Sequence, residues 1–281
     1  MLTSTGTAPI ALRPYGGTVG ARLEGVRLAD VPPGSDTARA VNGALWRYGL
    51  LVVGEQFLSP PELVAVTRLF GEPMVHPLVP HHPEHPEVIV IDSTERQGRG
   101  RTDFWHADAT FSPTPPEVTL LQSQVVPAAG GDTMFANQVL ALQRLSPGLR
   151  RLLAGLRAVH SSDELATAVG RPASDIRTVS HPAVRRHDRT GVAALYVNAG
   201  FTRHFEDMTV AESRPLLEHL YAVASAPEIS CRHSWTAGDL LIWDNRVVQH
   251  YAVPDYSDAH RRMIRTVVSG SVPQPAREDD L

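Results

Sequence analysis

The sequence predicts a mainly β protein with helical decoration, an α+β chain whose strands build a β-sandwich or a jelly roll. Three observations predict it. Short apolar or alternating runs recur from residue 10 to residue 268, punctuated by glycine, proline and polar turns. Helical periodicity is confined to a few stretches near the start and in the middle. No repeat or linker divides the 281 residues, whose 42% hydrophobic content is ample for one domain with one large core.

The elements follow in chain order. Residues 10–28 alternate and are broken by glycines, as short strands around a turn. Residues 35–48 have a helical pattern, and Leu50 to Val53 is a compact apolar strand. Ser59-Pro-Pro-Glu62 opens a helix expected to reach about Phe70, with serine as cap, proline at the first helical position and glutamate at the third. Val88 to Ile91 is a strand, and residues 93–103 form a polar loop leading to His106. Val118 to Val126 is a strand that ends before the Gly130-Gly131 turn. Residues 137–156 are helical, restarted at Ser146-Pro147. Residues 161–178 are polar and irregular, and are expected to be a mobile lid. Ala183 to Arg186 and Ala193 to Val197 read as a hairpin. Thr209-Val-Ala-Glu212 is a second capping box, before a helix to about Ala224. Ile229 to Trp235 and Asp239 to Trp243 are strands around the Ala237-Gly238 turn, and Met263 to Val268 closes the sheet.

Composition excludes several classes. A net charge of −4 gives no basic surface for nucleic acid or an anionic membrane. No apolar run reaches the roughly 18 residues of a membrane span, and Met1 to Pro9 lacks an apolar signal core, so a cytoplasmic location is expected. The one cysteine, Cys231, rules out an internal disulfide and a cysteine-based metal site, and reads as a small buried hydrophobe. All 26 basic residues are arginine, so lysine Schiff-base chemistry is impossible.

The chemistry is carried by His106-Ala-Asp108, answered downstream by Trp243-Asp-Asn-Arg246 and His250. Residues two apart on an extended segment share a face, so His106 and Asp108 can reach one cation. A third ligand, His250, comes from a facing strand. Alone, His-x-Asp is common by chance. Two imidazoles and a carboxylate without a thiolate suit Fe(II), with one face of the metal left open, better than a structural zinc. Arg261 and Arg265 lie four apart on one strand face, with Arg262 pointing away. Inward arginines need acidic partners. These could be Asp239 or Asp244, or the carboxylate of a cosubstrate and the anion of a substrate. Asp244 and Asn245 are expected to organise the turn before His250. Trp105, Trp235 and Trp243 are expected in the core.

His106-Ala-Asp108-Ala-Thr-Phe, Gly130-Gly-Asp-Thr133, Trp243-Asp-Asn-Arg-Val-Val-Gln-His250 and Arg261-Arg-Met-Ile-Arg265 together resemble the taurine dioxygenase (TauD/TfdA) family, from about Gly17 to Gly270. The resemblance implies a double-stranded β-helix (jelly-roll) core. It also implies an Fe(II)- and 2-oxoglutarate-dependent dioxygenase that consumes O2 and releases succinate and CO2. His106, Asp108 and His250 would hold iron, while Thr133 and Arg261 would hold the distal carboxylate of 2-oxoglutarate.

The substrate pocket departs from the taurine-specific pattern. His76 and Arg265 match the residues that bind the sulfonate, and Phe201 matches an aromatic of the pocket wall. Val79 stands in place of an amine-binding tyrosine and Thr102 in place of an asparagine. The anion end is retained and the amine end lost, which points away from taurine. Leu165 and Ala166 stand near where the family places a lid phenylalanine. His81, His82 and His85 read as a surface cluster. The expected substrate is a small organic anion: a sulfonate, sulfate ester or carboxylate. The alternatives are a natural-product tailoring oxygenase acting on an amino-acid-derived acid by hydroxylation, desaturation or oxidative decarboxylation, a non-catalytic jelly-roll binding module, and a zinc hydrolase. A homo-oligomer, dimer or tetramer, is expected.

Overall fold

In the computed structural model, residues 10–76, 79, 81–94, 103–256 and 258–281 are described. The chain is a mixed α+β protein with one seven-stranded sheet and three three-stranded sheets. The large sheet runs in the order Ala11–Pro14, Ala21–Glu24, Leu50–Val53, Leu240–Asp244, Val118–Val125, Arg262–Val267, Ile89–Asp92. Its neighbours are antiparallel except for the parallel pair Ala21–Glu24 and Leu50–Val53. A small sheet of Ser230–His233, Thr133–Asn137 and Val248–Ala252 faces it.

The period of two along the central strands divides the core into layers. Leu51, Val53, Leu120, Leu240, Ile242 and Ile264 pack with the helices Asp36–Tyr48 and Pro60–Thr67 on the outer face. Leu50, Val52, Leu121, Leu241, Trp243 and Met263 point the other way, toward Phe135 and Val248 of the small sheet. Strands covered on both faces have no polar side to show, hence the unbroken Leu-Leu-Val-Val run at 50–53. A third layer seats the helix Val210–Ala224 against the hairpin of Val184–Arg186 and Ala193–Leu195. Both expected capping boxes form, although the helix begun at Ser59 ends at Thr67, short of Phe70.

The expectations for residues 161–178, Trp105 and Cys231 are corrected. The strands expected around the Ala237-Gly238 turn both form, in different sheets. Ser230–His233 belongs to the small sheet and Leu240–Asp244 to the large one, so this turn carries the chain between sheets. Residues 161–178 are not irregular: they contain the helix Asp163–Ala168, between the paired strands Arg157–Ser161 and Thr178–Pro182. Trp105 is only half-buried, against Tyr251, whereas Trp235 and Trp243 are buried as expected. Cys231 is also half-buried rather than fully enclosed, although burial raises its thiol pKa to about 12.

Asp244 organises the approach to His250 through a buried ion network. Its carboxylate accepts from Arg246 Nε and Nη2, both at 2.8 Å, and from His187 Nε2 at 2.9 Å. Arg246 Nη1 continues to Glu117 at 3.0 Å and Asp188 at 2.8 Å. Arg246 is 2% exposed. Removing a partner from such a pair strands the remaining charges in low dielectric. Arg246→Ala is therefore expected to destabilise the metal-free protein by about 3–5 kcal/mol, measured by denaturant unfolding. A loss within the few tenths typical of surface sites would contradict this account.

Candidate metal centre

His106 reaches the small sheet through an isolated antiparallel bridge to His250. His106 N donates to His250 O at 3.0 Å, and His250 N donates to His106 O at 2.8 Å. Main-chain pairing thus brings the two imidazoles together, with ring centroids 4.1 Å apart. His106 Nδ1 donates to the Phe104 carbonyl at 2.9 Å, which leaves Nε2 free as a ligand atom. His250 is fixed by packing between Trp243 and Phe135. The Asp108 carboxylate lies over the inner face of the large sheet. Its Oδ1 is 3.8 Å from His106 Nε2 and 3.7 Å from His250 Nε2.

The ligand atoms of His106, Asp108 and His250 lie within 4.8 Å of one another, and all three residues are buried. Burial lowers both imidazole pKa values and keeps the rings neutral, as ligation requires. Asp108 stays ionised despite burial because the Arg265 guanidinium lies beside it. One anionic oxygen and two neutral nitrogens, without a thiolate, fit Fe(II).

Both arginines are where the spacing places them, and neither pairs with Asp239 or Asp244. Arg265 Nη2 lies 2.5 Å from Asp108 Oδ2. Arg261 is 8% exposed, donates from Nε to the Gly131 carbonyl at 3.1 Å, and has no carboxylate partner among the described residues. Gly131 is left-handed, with φ of 72°, and a Cβ there would come within 3.1 Å of Arg261 Cδ. Arg262 points away and pairs with Asp92 at 2.8 Å, as expected. Thr133 is buried, and its hydroxyl oxygen accepts from Trp235 Nε1 at 3.0 Å, so its own proton remains available to an acceptor.

Around the open face, Phe201 is buried and packs edge-on against His106, Phe104 and Phe111. Leu165, on the helix Asp163–Ala168, packs against the same cluster. Gly200 admits no side chain, because a Cβ would collide with the Phe104 ring and press on His106 Cβ. His76 is buried and close enough to Arg265 and Asp108 to feel both charges. Val79 is half-buried. Thr102 lies outside the described residues. The rings of His82 and His85 meet at a tilt, with centroids 5.4 Å apart.

Sequence reasoning missed Thr119. This residue is fully buried, and its Oγ1 donates to Asp108 Oδ2 at 2.5 Å. The available signal was a hydroxyl side chain on the strand Val118–Val125, on the same face as Leu121.

The buried histidines set a pH dependence. Burial lowers the pKa of His76 and of His181 from 6.5 to about 4. Below pH 6.5 the unfolded chain takes up protons that the folded chain refuses until about pH 4, so stability falls as pH falls through that window. Thermal melts of the metal-free protein should show the midpoint declining from pH 6.5 to 4. A flat profile would contradict the assignment of neutral buried imidazoles.

A buried two-imidazole, one-carboxylate site with an open face, on this frame, defines a mononuclear non-haem iron oxygenase. The chain belongs to the taurine catabolism dioxygenase TauD, TfdA family, whose pattern matches residues 11–267. It is 35% identical to an alpha-ketoglutarate-dependent sulfate ester dioxygenase of Pseudomonas putida, over 95% of this chain and 93% of that protein. It is 31% identical to an alkylsulfatase of Acinetobacter baylyi, over 95% of this chain and 87% of that protein. A crystal structure of a taurine dioxygenase from Burkholderia xenovorans superposes with a TM-score of 0.82 at 34% identity, covering 95% of this chain and 94% of the other. The chain is thus an Fe(II)/2-oxoglutarate-dependent dioxygenase. Among the described residues, no helix is long and apolar enough to cross a membrane.

Proposed function

We propose that the enzyme hydroxylates the carbon bearing the sulfur-containing group of a small sulfate ester or sulfonate. The observation that carries this reading is Arg265, a cation 2.5 Å from the metal ligand Asp108 and beside an apolar wall of Phe104, Phe201 and Leu165. An anionic head with an apolar body suits that surface. The half-buried Val79 offers no partner to an ammonium group, which argues against taurine. The sulfate-ester and alkylsulfatase names of two relatives support the same class.

With O2, bound iron and 2-oxoglutarate would supply the oxidant that replaces a substrate C–H with C–OH: one oxygen atom enters the hydroxyl, the other enters succinate, and CO2 leaves. Arg261, buried without a carboxylate among the described residues, holds the distal carboxylate of 2-oxoglutarate, and Thr133 donates to it. Arg265 and His76 hold the substrate anion, so that the adjacent carbon faces the open side of the centre. Phe201 and Leu165 exclude water. A hydroxylated sulfate-bearing carbon then collapses: its C–O bond to sulfate breaks, the hydroxyl proton leaves, and an aldehyde and sulfate separate. A sulfonate hydroxylated on its sulfur-bearing carbon breaks its C–S bond instead, and sulfite and an aldehyde separate. Residues 161–178 act as the lid, carried by the helix that places Leu165 on the aromatic cluster. The contact between the large and small sheets through Leu121, Phe135 and Trp243 supports the jelly-roll reading of the core.

A succinate-release screen over alkyl sulfates, alkylsulfonates, aryloxy acids and modified amino acids tests the proposal. Sulfate or sulfite must appear with an aldehyde, in step with succinate. A retained carbon skeleton with a new hydroxyl or alkene on an amino-acid-derived acid would replace it with the tailoring reading. Arg265→Ala should raise the substrate KM by about 30-fold or more, as for a lost buried charge pair, with little change for 2-oxoglutarate. The reverse pattern would mean that the two arginines have exchanged roles.

A further inference from the structure

We infer that Thr119 and Asn245 are positioning residues that keep Asp108 a one-oxygen ligand, presenting Oδ1 to the metal and holding Oδ2 back. Four hydrogen bonds carry the inference. Thr119 Oγ1 donates to Asp108 Oδ2 at 2.5 Å. Asn245 Nδ2 donates to Thr119 Oγ1 at 2.8 Å. Asn245 Oδ1 accepts from the Asp108 backbone N–H at 3.2 Å and from Trp243 Nε1 at 3.1 Å. These bonds close a ring that runs from the carboxylate through a hydroxyl and an amide back to the main chain of the same aspartate.

Each member is fixed by something else. Thr119 is fully buried on a central strand, where it lies opposite Trp243 in register. Its hydroxyl has one proton, and the Asn245 donor occupies its lone-pair side, so the proton is directed to Asp108. Asn245 is 3% exposed, and its amide orientation is set by the two N–H groups that its oxygen accepts. Arg265 also approaches Oδ2, whereas Oδ1 is the oxygen near both imidazole Nε2 atoms. The two carboxylate oxygens therefore have different work.

The distinction matters for the open face. Three ligand atoms leave room at an octahedral metal for a chelating cosubstrate and O2. A second aspartate oxygen on the metal would occupy one of those positions. Partners outside the ligand shell commonly hold ligands in this way, and their loss typically costs about 10–100-fold in metal affinity or activity.

The test titrates metal-free protein with Co(II), following its visible absorption, and records the charge-transfer band of Fe(II) with 2-oxoglutarate without oxygen. Thr119→Val keeps the shape and removes the donor; Thr119→Ser restores it. Thr119→Val should bind Co(II) about 10–100-fold more weakly, with an altered Co(II) spectrum and a displaced charge-transfer band. Thr119→Ser should return all three toward wild type. Asn245→Ala, which leaves the threonine in place but unaimed, should move them in the same direction and keeps the test available if Thr119→Val does not fold. Wild-type affinity and spectra in Thr119→Val, or equal impairment of the valine and serine variants, would overturn the inference. These readouts need no substrate, so they stand apart from the sulfate-ester proposal.

Discussion

Asp108→Ala should abolish 2-oxoglutarate-dependent turnover and leave the metal-free protein folded. Asp108 provides the only anionic oxygen of the ligand set, and a bound cation takes several kcal/mol of charge stabilisation from such a group. A loss of about 4 kcal/mol is about a 10³-fold loss of rate. The fold is insulated because Asp108 lies within the site rather than in the apolar layers. Arg265, released from its 2.5 Å contact, has 14% of its side chain exposed and can turn toward the open face. The melting temperature of the metal-free variant should stay within about 4 °C of wild type, the shift expected for roughly 1 kcal/mol in a chain of this size. Succinate formation, metal titration and thermal melts check the three parts. Retained turnover would remove Asp108 from the metal centre.

Arg261→Met should raise the 2-oxoglutarate requirement by about 10²–10³-fold, as expected for breaking a buried charge pair worth roughly 3–4 kcal/mol. The stability effect should have the opposite sign. In the metal-free enzyme, burial depresses the Arg261 pKa more than nearby Asp132 offsets it, and no carboxylate among the described residues forms an ion pair with Arg261. Replacing it with an apolar side chain removes that cost. The ligand-free variant should therefore melt no lower than wild type. Wild type, but not the variant, should gain stability as 2-oxoglutarate is added with metal. A variant that still responds to 2-oxoglutarate would show that the distal carboxylate binds elsewhere.

Much of this was legible in the sequence because local signals and tertiary packing agreed. Ser59 and Thr209 announce their helices, and the apolar run at 50–53 announces a strand covered on both faces. The ligand set was legible because His106 and Asp108 sit two apart on an extended segment whose partner carries His250. The strand Thr133–Asn137 was hidden behind a glycine turn and a helix cap, since Asn137 ends the strand and caps the next helix. The helix Asp163–Ala168 is a single short segment with one buried residue, too weak a periodic signal to separate from a polar loop. The sheet switch at Ala237-Gly238 depends on which partners the flanking strands find far away in sequence, and no local pattern encodes that choice. Thr119 was missed because its role exists only once Asp108 and Asn245 arrive beside it.

The bridge between His106 and His250 has an evolutionary consequence. Two main-chain hydrogen bonds tie the backbones of the two ligand histidines together, and packing then fixes the His250 ring. The surrounding walls (Phe104, Phe201, Leu165) are single side chains that can change size without moving that backbone pair. Mutation can therefore explore new substrates one wall residue at a time, while the oxidising centre is inherited intact.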